Sequence, residues 1–464
     1  HQLGILVEAG GKPDRVREGD AGDRDFHAGL GGLERAAQQA EARKPLETTE
    51  DVTYEQILAD PDNLDLNFRY AKSQMARGDL VGASATLERL LLINPDLTPV
   101  RLHYAIVLFR LDNLEQAEQE FQRLRALAEL PPQQRQQVEQ YIREIRHRRR
   151  RTHWTASTTA GWGFDSNRNA SPSSKKRLSS NALVDLTGTS KRRRDTNVVL
   201  VESVDVAHDL GTQSGHQLIG SFDYFLGEQT SADDLDLQAF SARGGAVIHT
   251  SLVDLTPTSF VNYIYLSRET FLRSQGFELR GERPIGKRLE VFADSSWTRE
   301  DFIGITENAT APERSGHRVG LGLGGRYALT PAMQVQLDID YQNKDVKEAH
   351  GRHNAYQGVA VNGSHTWLLG KGQFLLTALT FGVNGYDEPN VTIASRQRRD
   401  EQLRARLTYG LPVSLVIGEW LPRLVWEDLT AAVNVEQFRS LSNITNYTYS
   451  NTKLGLLFTK RFEF

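Results

Sequence analysis

From Trp154 to the last residue the side chains alternate between apolar and polar with a period of two, and this pattern restricts the chain more than any other feature. Residues 454–464 carry Leu454, Leu456, Phe458, Phe462 and Phe464 on one face, with only Lys460 interrupting the stripe. A strand apolar on one face up to the chain end is hard to place in a soluble domain. It suits the closing strand of a transmembrane β-barrel, whose outer face meets lipid and whose edge must pair with the first strand.

The alternation recurs upstream. Trp154, Ala156, Thr158, Ala160, Trp162 and Phe164 share a face. Val335, Leu337, Ile339 and Tyr341 alternate with Gln334, Gln336, Asp338, Asp340 and Gln342, and Leu403, Ala405, Leu407 and Tyr409 alternate with Arg404, Arg406 and Thr408. One face fits lipid and the other water. A large soluble β-sandwich or solenoid is the structural alternative, but it would put rows of Trp, Tyr, Leu and Phe into water on every strand.

Connections alternate in length. Tight turns are expected near residues 209–214, 254–258, 284–287, 330–332, 370–372 and, more loosely, 411–422. Longer polar stretches fall at 165–194, 227–236, 268–276, 301–316, 343–353, 384–400 and 439–445. Six turns join twelve strands, and the first and last bring the total to about fourteen, an even number as single-chain barrels require. Both barrel ends then lie on the short-turn side, which in an outer membrane faces the periplasm.

Composition allows this reading. Mean hydropathy is −0.47, yet barrel strands hide their apolar residues from such an average. No stretch approaches the roughly 20 apolar residues of a membrane helix. The absence of cysteine excludes disulfides and thiolate metal sites, and the net charge of −4 selects no partner. The sequence starts at His1 without a basic, apolar signal segment, so a barrel reading requires that such a segment was removed.

Residues 1–50 are rich in Gly, Ala and charge without steady periodicity and are expected to be mobile. Residues 51–150 have helical spacing, and two stretches within them match at a 34-residue offset: Tyr70-Ala71 with Tyr104-Ala105, Leu80 with Leu114, Ala83 with Ala117 and Leu87 with Phe121. Each opens on Pro-Asp. This resembles the tetratricopeptide repeat, with Asn67 and Arg101 where its usual tryptophan stands. The resemblance implies that first helices line a concave groove, which places Phe68, Lys72 and Met75 of one repeat and Leu102, Ile106, Phe109 and Arg110 of the next on a peptide-binding face. The competing expectation is that several of them pack against flanking helices. Arg146 and Arg148 to Arg151 follow, either as an anchor to an anionic leaflet or as solvated charges at a helix C-terminus.

The barrel region, residues 151–464, contains no G-x-S-x-G elbow, no H-E-x-x-H and no phosphate-binding glycine loop, so neither an enzyme nor a cofactor is implied. His365 reads as in-facing or beside a turn. Asp223, Asp294, Asp338, Asp340, Arg404 and Arg406 are expected to face the lumen, as a polar passage or as rows of acid and base that stiffen the wall. Lys175, Lys176, Arg177 and Lys191 to Arg194 fall in the first long loop, where phosphates of outer-membrane lipid are the natural partner. No feature indicates nucleic acid.

At the end of the first strand stands Gly161-Trp-Gly-Phe-Asp165-Ser-Asn167-Arg-Asn169-Ala-Ser-Pro172. A strand running into an Asn-x-Asn-Ala turn, after a helical repeat and before a fourteen-strand barrel ending in Phe, resembles the surface lipoprotein assembly modulator (Slam) family, the outer-membrane component of type XI secretion. The resemblance implies translocation of a client, a surface lipoprotein or a secreted haem- or metal-acquisition protein, from the periplasm to the cell surface or medium. It also implies that the repeat engages clients or periplasmic chaperones. Asp165, Asn167 and Asn169 have a plainer local role as well, since asparagine caps turns and tolerates φ > 0. Alternative functions are an exopolysaccharide export porin and a barrel whose loops bind a host or ligand.

Overall fold

The computed structural model describes residues 52–306, 308–417 and 428–464. The chain separates into two compact units, a helical one ending at residue 151 and a strand-built one from residue 152 onward. The expected mobile segment over residues 1–50 lies outside the described residues, as does part of the loose turn over 411–422.

The helical unit contains α1 (Tyr54–Ala59), α2 (Leu64–Ala76), α3 (Leu80–Ile93), α4 (Thr98–Arg110), α5 (Leu114–Arg125) and α6 (Pro132–Arg149). Side-chain caps start two of them: Asn63 Oδ1 accepts from Leu66 N at 3.0 Å, and Asp79 Oδ1 from Gly82 N at 2.9 Å. Ala71, Ala83, Ala105 and Ala117 are fully buried, which lets the paired helices approach closely. Large partners such as Leu87 and Phe121 fill the space between them.

The 34-residue equivalence extends to polar contacts. Asn67 Nδ2 donates to the carbonyl of Pro61 at 3.0 Å, and Arg101 Nη2 donates to that of Pro95 at 2.5 Å. At these two equivalent positions, both residues tie the helix to its own Pro-Asp turn by hydrogen bonds.

The second unit is a closed antiparallel barrel of fourteen strands. They are β1 (Thr152–Asp165), β4 (Asp195–Asp209), β5 (Gln217–Gln229), β6 (Leu237–His249), β7 (Asp254–Leu266), β8 (Glu269–Ile285), β9 (Leu289–Phe302), β10 (Gly316–Thr330), β11 (Met333–Val346), β12 (Tyr356–Gly370), β13 (Gln373–Tyr386), β14 (Arg399–Pro412), β15 (Leu429–Ser442) and β16 (Tyr449–Glu463). Each pairs with its sequence neighbours, and β1 closes on β16 with Trp162 opposite Leu456 and Ala160 opposite Phe458. A two-stranded hairpin, β2 (Lys176–Ser179) with β3 (Ala182–Asp185), projects from the first long loop.

Exposure and register separate the two faces. Leu323, Leu337 and Trp162 are 67%, 61% and 60% exposed, whereas Asp338 and Asn362, facing the other way, are 4% and 5% exposed. Ile339, Val335 and Phe458 therefore lie on the outer wall and form no common interior. Strands of 14 residues tilted about 40° rise roughly 35 Å, more than an apolar belt about 25 Å tall. The excess lies at the long-loop end, where outward positions become Arg273, Arg299, Asp301, Asn343 and Arg399.

Three expectations about the barrel strands need correction. Residues 268–276, read as a long loop, belong mostly to β8, because Ser267 and Arg268 (φ 51° and 65°) make a two-residue hairpin turn. The turn expected at 254–258 lies just before β7, which starts at Asp254. His365 pairs with Val335 and so faces outward.

Candidate functional site: the lumen and its mouth

Fourteen strands about 4.8 Å apart and tilted about 40° enclose a cylinder roughly 27 Å across between backbones, wide enough for a lumen after side chains line it. All six expected lumen residues point inward. Asp338 and Asp340 both accept from Asn362 Nδ2 at 2.7 Å, and Gln336 Nε2 donates to Asp338 at 3.2 Å. Asp223 accepts from Ser203 Oγ at 2.7 Å. Arg406 pairs with Glu436 at 2.6 Å, and Arg404 lies over the Phe438 ring at 5.3 Å.

Both signs of charge line each wall. Strands β14 to β16 present Arg404, Arg406, Lys453 and Arg461 with the carboxylates Glu436 and, nearer the mouth, Asp400. Strands β9 to β11, across β12 and β13 in the closed order, present Glu290, Asp294, Glu300, Asp338 and Asp340 with Arg318, Arg326 and Lys344. The lumen wall is held by internal ion pairs such as Arg326 to Glu290 at 2.6 Å and Arg243 to Glu278 at 2.9 Å.

A glycine stripe on β10 shapes the wall between β9 and β11. Gly320, Gly322 and Gly324 face inward, and side chains from β9 and β11 lie across them. A Cβ at Gly324 would come within 2.5 Å of Phe292 Cζ and 2.6 Å of Asp338 Cβ.

The long-loop end is filled. Phe225, Leu237, Ile264, Leu266, Phe271, Leu272 and Phe302 form an apolar cluster on the inner wall, joined by Ile305 and Ala311 from the loop after β9. Beside it Glu300 is fully buried, with Arg318 Nε at 3.2 Å and Lys344 Nζ at 2.7 Å. The loops above interlock. Ser180 N and Asn181 N donate to the carbonyls of Thr392 and Ile393 at 2.8 and 3.0 Å, and Leu178 N donates to Asn446 Oδ1 at 2.6 Å. His353 approaches Glu313 at 3.7 Å.

The Asn-x-Asn motif anchors this cap. Asn167 Nδ2 donates to the carbonyls of Ser171 and Ser450 at 3.0 and 3.1 Å, and its Oδ1 accepts from Ser171 N at 2.9 Å. Asn169 Nδ2 donates to the carbonyls of Thr189 and Lys191 at 2.9 and 2.6 Å, and its Oδ1 accepts from Arg193 N at 3.0 Å. Asp165 accepts from Asn167 N at 2.9 Å. The positive φ of the turn belongs to Ala170 (46°), so the asparagines act through their side chains.

Sequence reasoning missed Arg168, the residue between the asparagines. It is 2% exposed and donates from Nη2 to the carbonyl of Leu235 at 2.9 Å. The signal was the motif itself, since two capping asparagines hold the intervening side chain on one course. In the same loop Arg193 makes a bidentate pair with Asp234 at 2.7 Å, and that bond holds its guanidinium more firmly protonated than usual. Lys175, Lys176, Arg177, Lys191, Arg192 and Arg194 remain exposed.

The helical unit presents a smaller candidate face than expected. Met75, Leu102 and Ile106 do not line an open groove but belong to the buried core, because α2 and α4 are each packed by flanking helices and turn these residues inward. Phe68, Lys72, Phe109 and Arg110 stay half-buried. Lys72 Nζ lies 4.3 Å over the Phe68 ring, which meets His103 edge-on at 5.1 Å, while Phe109 meets Tyr141 at 5.1 Å. Burial holds the His103 imidazole below its ordinary pKa, the Pro99 carbonyl opposing and the Lys72 charge adding to the depression. Arg146 and Arg149 pair with Glu118 at 3.6 and 2.7 Å, which favours the structural expectation for those members of the arginine run.

The closed register, the apolar outer wall and the polar lumen define a β-barrel of the outer-membrane type. No family model and no curated protein matches the chain. Among solved structures it is similar to the outer membrane protein OpdK from Pseudomonas aeruginosa (10% identity, 67% of this chain and 99% of that one, TM-score 0.31). It is likewise similar to OccAB3 from Acinetobacter baumannii (10%, 67% and 99%, TM-score 0.34) and to an anion-selective porin from Comamonas acidovorans (7%, 67% and 99%, TM-score 0.34). The class rests on this chain's own register and outer belt.

Proposed function

We propose that the protein is an outer-membrane translocon that carries a polypeptide client from the periplasm to the cell surface or medium, as the resemblance to the Slam family implies. The supporting observation is the covalent union of two parts: a helical repeat with a half-buried aromatic and cationic face, and a polar, ion-paired lumen. An extended peptide presents apolar side chains and backbone carbonyls, which Phe68, Phe109, Lys72 and Arg110 suit. Inside the barrel a moving chain meets charges already paired with one another, so it is not trapped by any single residue. In this reading the helical repeat and the short turns lie in the periplasm, and the loop cap is the element that must yield on the outer side. Driving force then comes from client folding outside or from partners, including periplasmic chaperones.

The test is co-expression with a candidate client, encoded beside this gene, in a host lacking both. Exposure of the client to added protease is the readout. Full-length protein should display the client, and deleting residues 51–146 should abolish display. Phe68→Ala combined with Lys72→Glu should reduce it. Unchanged display after the deletion removes the repeat from the mechanism, and export of polysaccharide without any protein client replaces this reading with the exopolysaccharide porin.

A further inference from the structure

On the outer wall, β4 presents Val198, Leu200, Glu202, Val204 and Val206, so a carboxylate interrupts an apolar row with two apolar residues on each side. Among the described residues no other carboxylate faces outward from the middle of a strand. Thr158 Oγ1 donates to Glu202 Oε2 at 2.6 Å, a hydroxyl beside a carboxyl group at lipid depth. Thr158 is also paired with Lys460 in the register. Lys460, Thr158 and Glu202 thus form one row across β16, β1 and β4, spanning the seam where the barrel closes.

An ionisable group facing hydrocarbon is expensive and marks a site with a specific partner. We infer that this face is the interface of a twofold dimer, the partner being a second copy of this chain. The row is self-complementary. Neighbouring residues in it are about 4.8 Å apart, so Lys460 and Glu202 flank Thr158 at about equal distances. A twofold axis along the membrane normal through Thr158 exchanges left and right, setting Lys460 of each copy opposite Glu202 of the other. Strand tilt puts Lys460 about 6 Å nearer the short-turn end than Glu202, a step its four-carbon stem covers.

Shape agrees with charge. Outward positions along β1 between Trp154 and Trp162 are Ala156, Thr158 and Ala160, flanked by larger residues: Leu456, Phe458 and Phe462 on one side, Leu200 and Val204 on the other. This shallow trough lets two walls approach closely, as small residues do between membrane helices. The inference is independent of what passes through the lumen.

The chain has no cysteine, so single cysteines report position cleanly. Ala160→Cys, beside the proposed axis, is compared with Leu323→Cys on β10, using the full-length protein in reconstituted vesicles and a short bismaleimide. Ala160→Cys should yield a covalent dimer and Leu323→Cys should not. In the Ala160→Cys background, Glu202→Lys or Lys460→Glu should each lower the dimer yield about tenfold, and the two together should restore it. Heat-modifiable gel mobility reports that the barrel is folded; where Glu202→Lys does not insert, Glu202→Gln replaces it and should also lower the yield. Equal cross-linking at Ala160→Cys and Leu323→Cys, failure of the swap to restore a folded dimer, unchanged yield with Glu202→Gln, or cross-linking only to a different membrane protein would each overturn the inference.

Discussion

Replacing Asn167 with Ala removes three hydrogen bonds, two of them buried, and little else. The side chain holds the Ser171 amide at 2.9 Å and the carbonyls of Ser171 and Ser450 at 3.0 and 3.1 Å, so it ties the first long loop both to itself and to the start of β16. Neutral hydrogen bonds contribute about 1 kcal/mol each, so the loss is about 3 kcal/mol of local stability, more where water cannot reach the stranded groups. At about 1.4 kcal/mol per decade, that corresponds to roughly a hundredfold larger population of the undocked loop. Amide hydrogen exchange of the full-length protein in detergent, read by mass spectrometry, checks it directly. Peptides covering residues 166–175 should exchange about a hundredfold faster, while peptides from the middles of β10 and β11 should not change. Because the loop belongs to the cap over the lumen, planar-bilayer recordings should also show more frequent openings. Unchanged exchange at Ser171 in a folded variant would refute the assignment of the motif as the anchor of the cap.

Other expectations follow from the same contacts. Glu300→Ala leaves Arg318 and Lys344 buried without their shared carboxylate and should destabilise the mouth by about 3–5 kcal/mol, seen as a lower transition temperature in heat-modifiability gels. Gly324→Ala should cost about 1–3 kcal/mol, because its Cβ meets a phenylalanine ring and a Cβ. Gly322→Ala should cost less, since its Cβ would meet the Asp294 carboxylate 2.6 Å away, at the end of a movable side chain. The gel transitions should therefore rank wild type, Gly322→Ala, Gly324→Ala. His103, with its folded pKa depressed by burial, binds fewer protons than in the unfolded chain below about pH 6.5. Stability of the helical unit should therefore be complete above that pH and fall as pH drops below it, measured as faster exchange of α4 amides. His103→Gln should flatten this dependence.

The period-two pattern was legible because alternation is a local property: each strand must show lipid one face and water the other, whatever its neighbours. That logic placed Asp223, Asp294, Asp338, Asp340, Arg404 and Arg406 on the lumen side and brought the strand number to fourteen. The 34-residue offset was legible for a similar reason, since each helix pair repeats one packing solution. Within it, the separation of groove from core was not. Met75 and Leu102 have the spacing of a groove face, and their burial arises from helices that pack on that face from other parts of the chain.

What the amino-acid order determined alone is therefore the alternation, the repeat, the turn-forming residues and the absence of known catalytic motifs. Only the closed tertiary structure decided which residues share a row or a cavity. Phe225, Phe271 and Ile305 come together because three separate segments fold into one mouth, and Arg168 is buried because the loop around Leu235 covers it. Glu202 and Lys460 lie 258 positions apart in the sequence and become neighbours of Thr158 only when the last strand meets the first. Periodicity acts within one strand, whereas register, closure and inward-folding loops depend on contacts between distant parts of the chain.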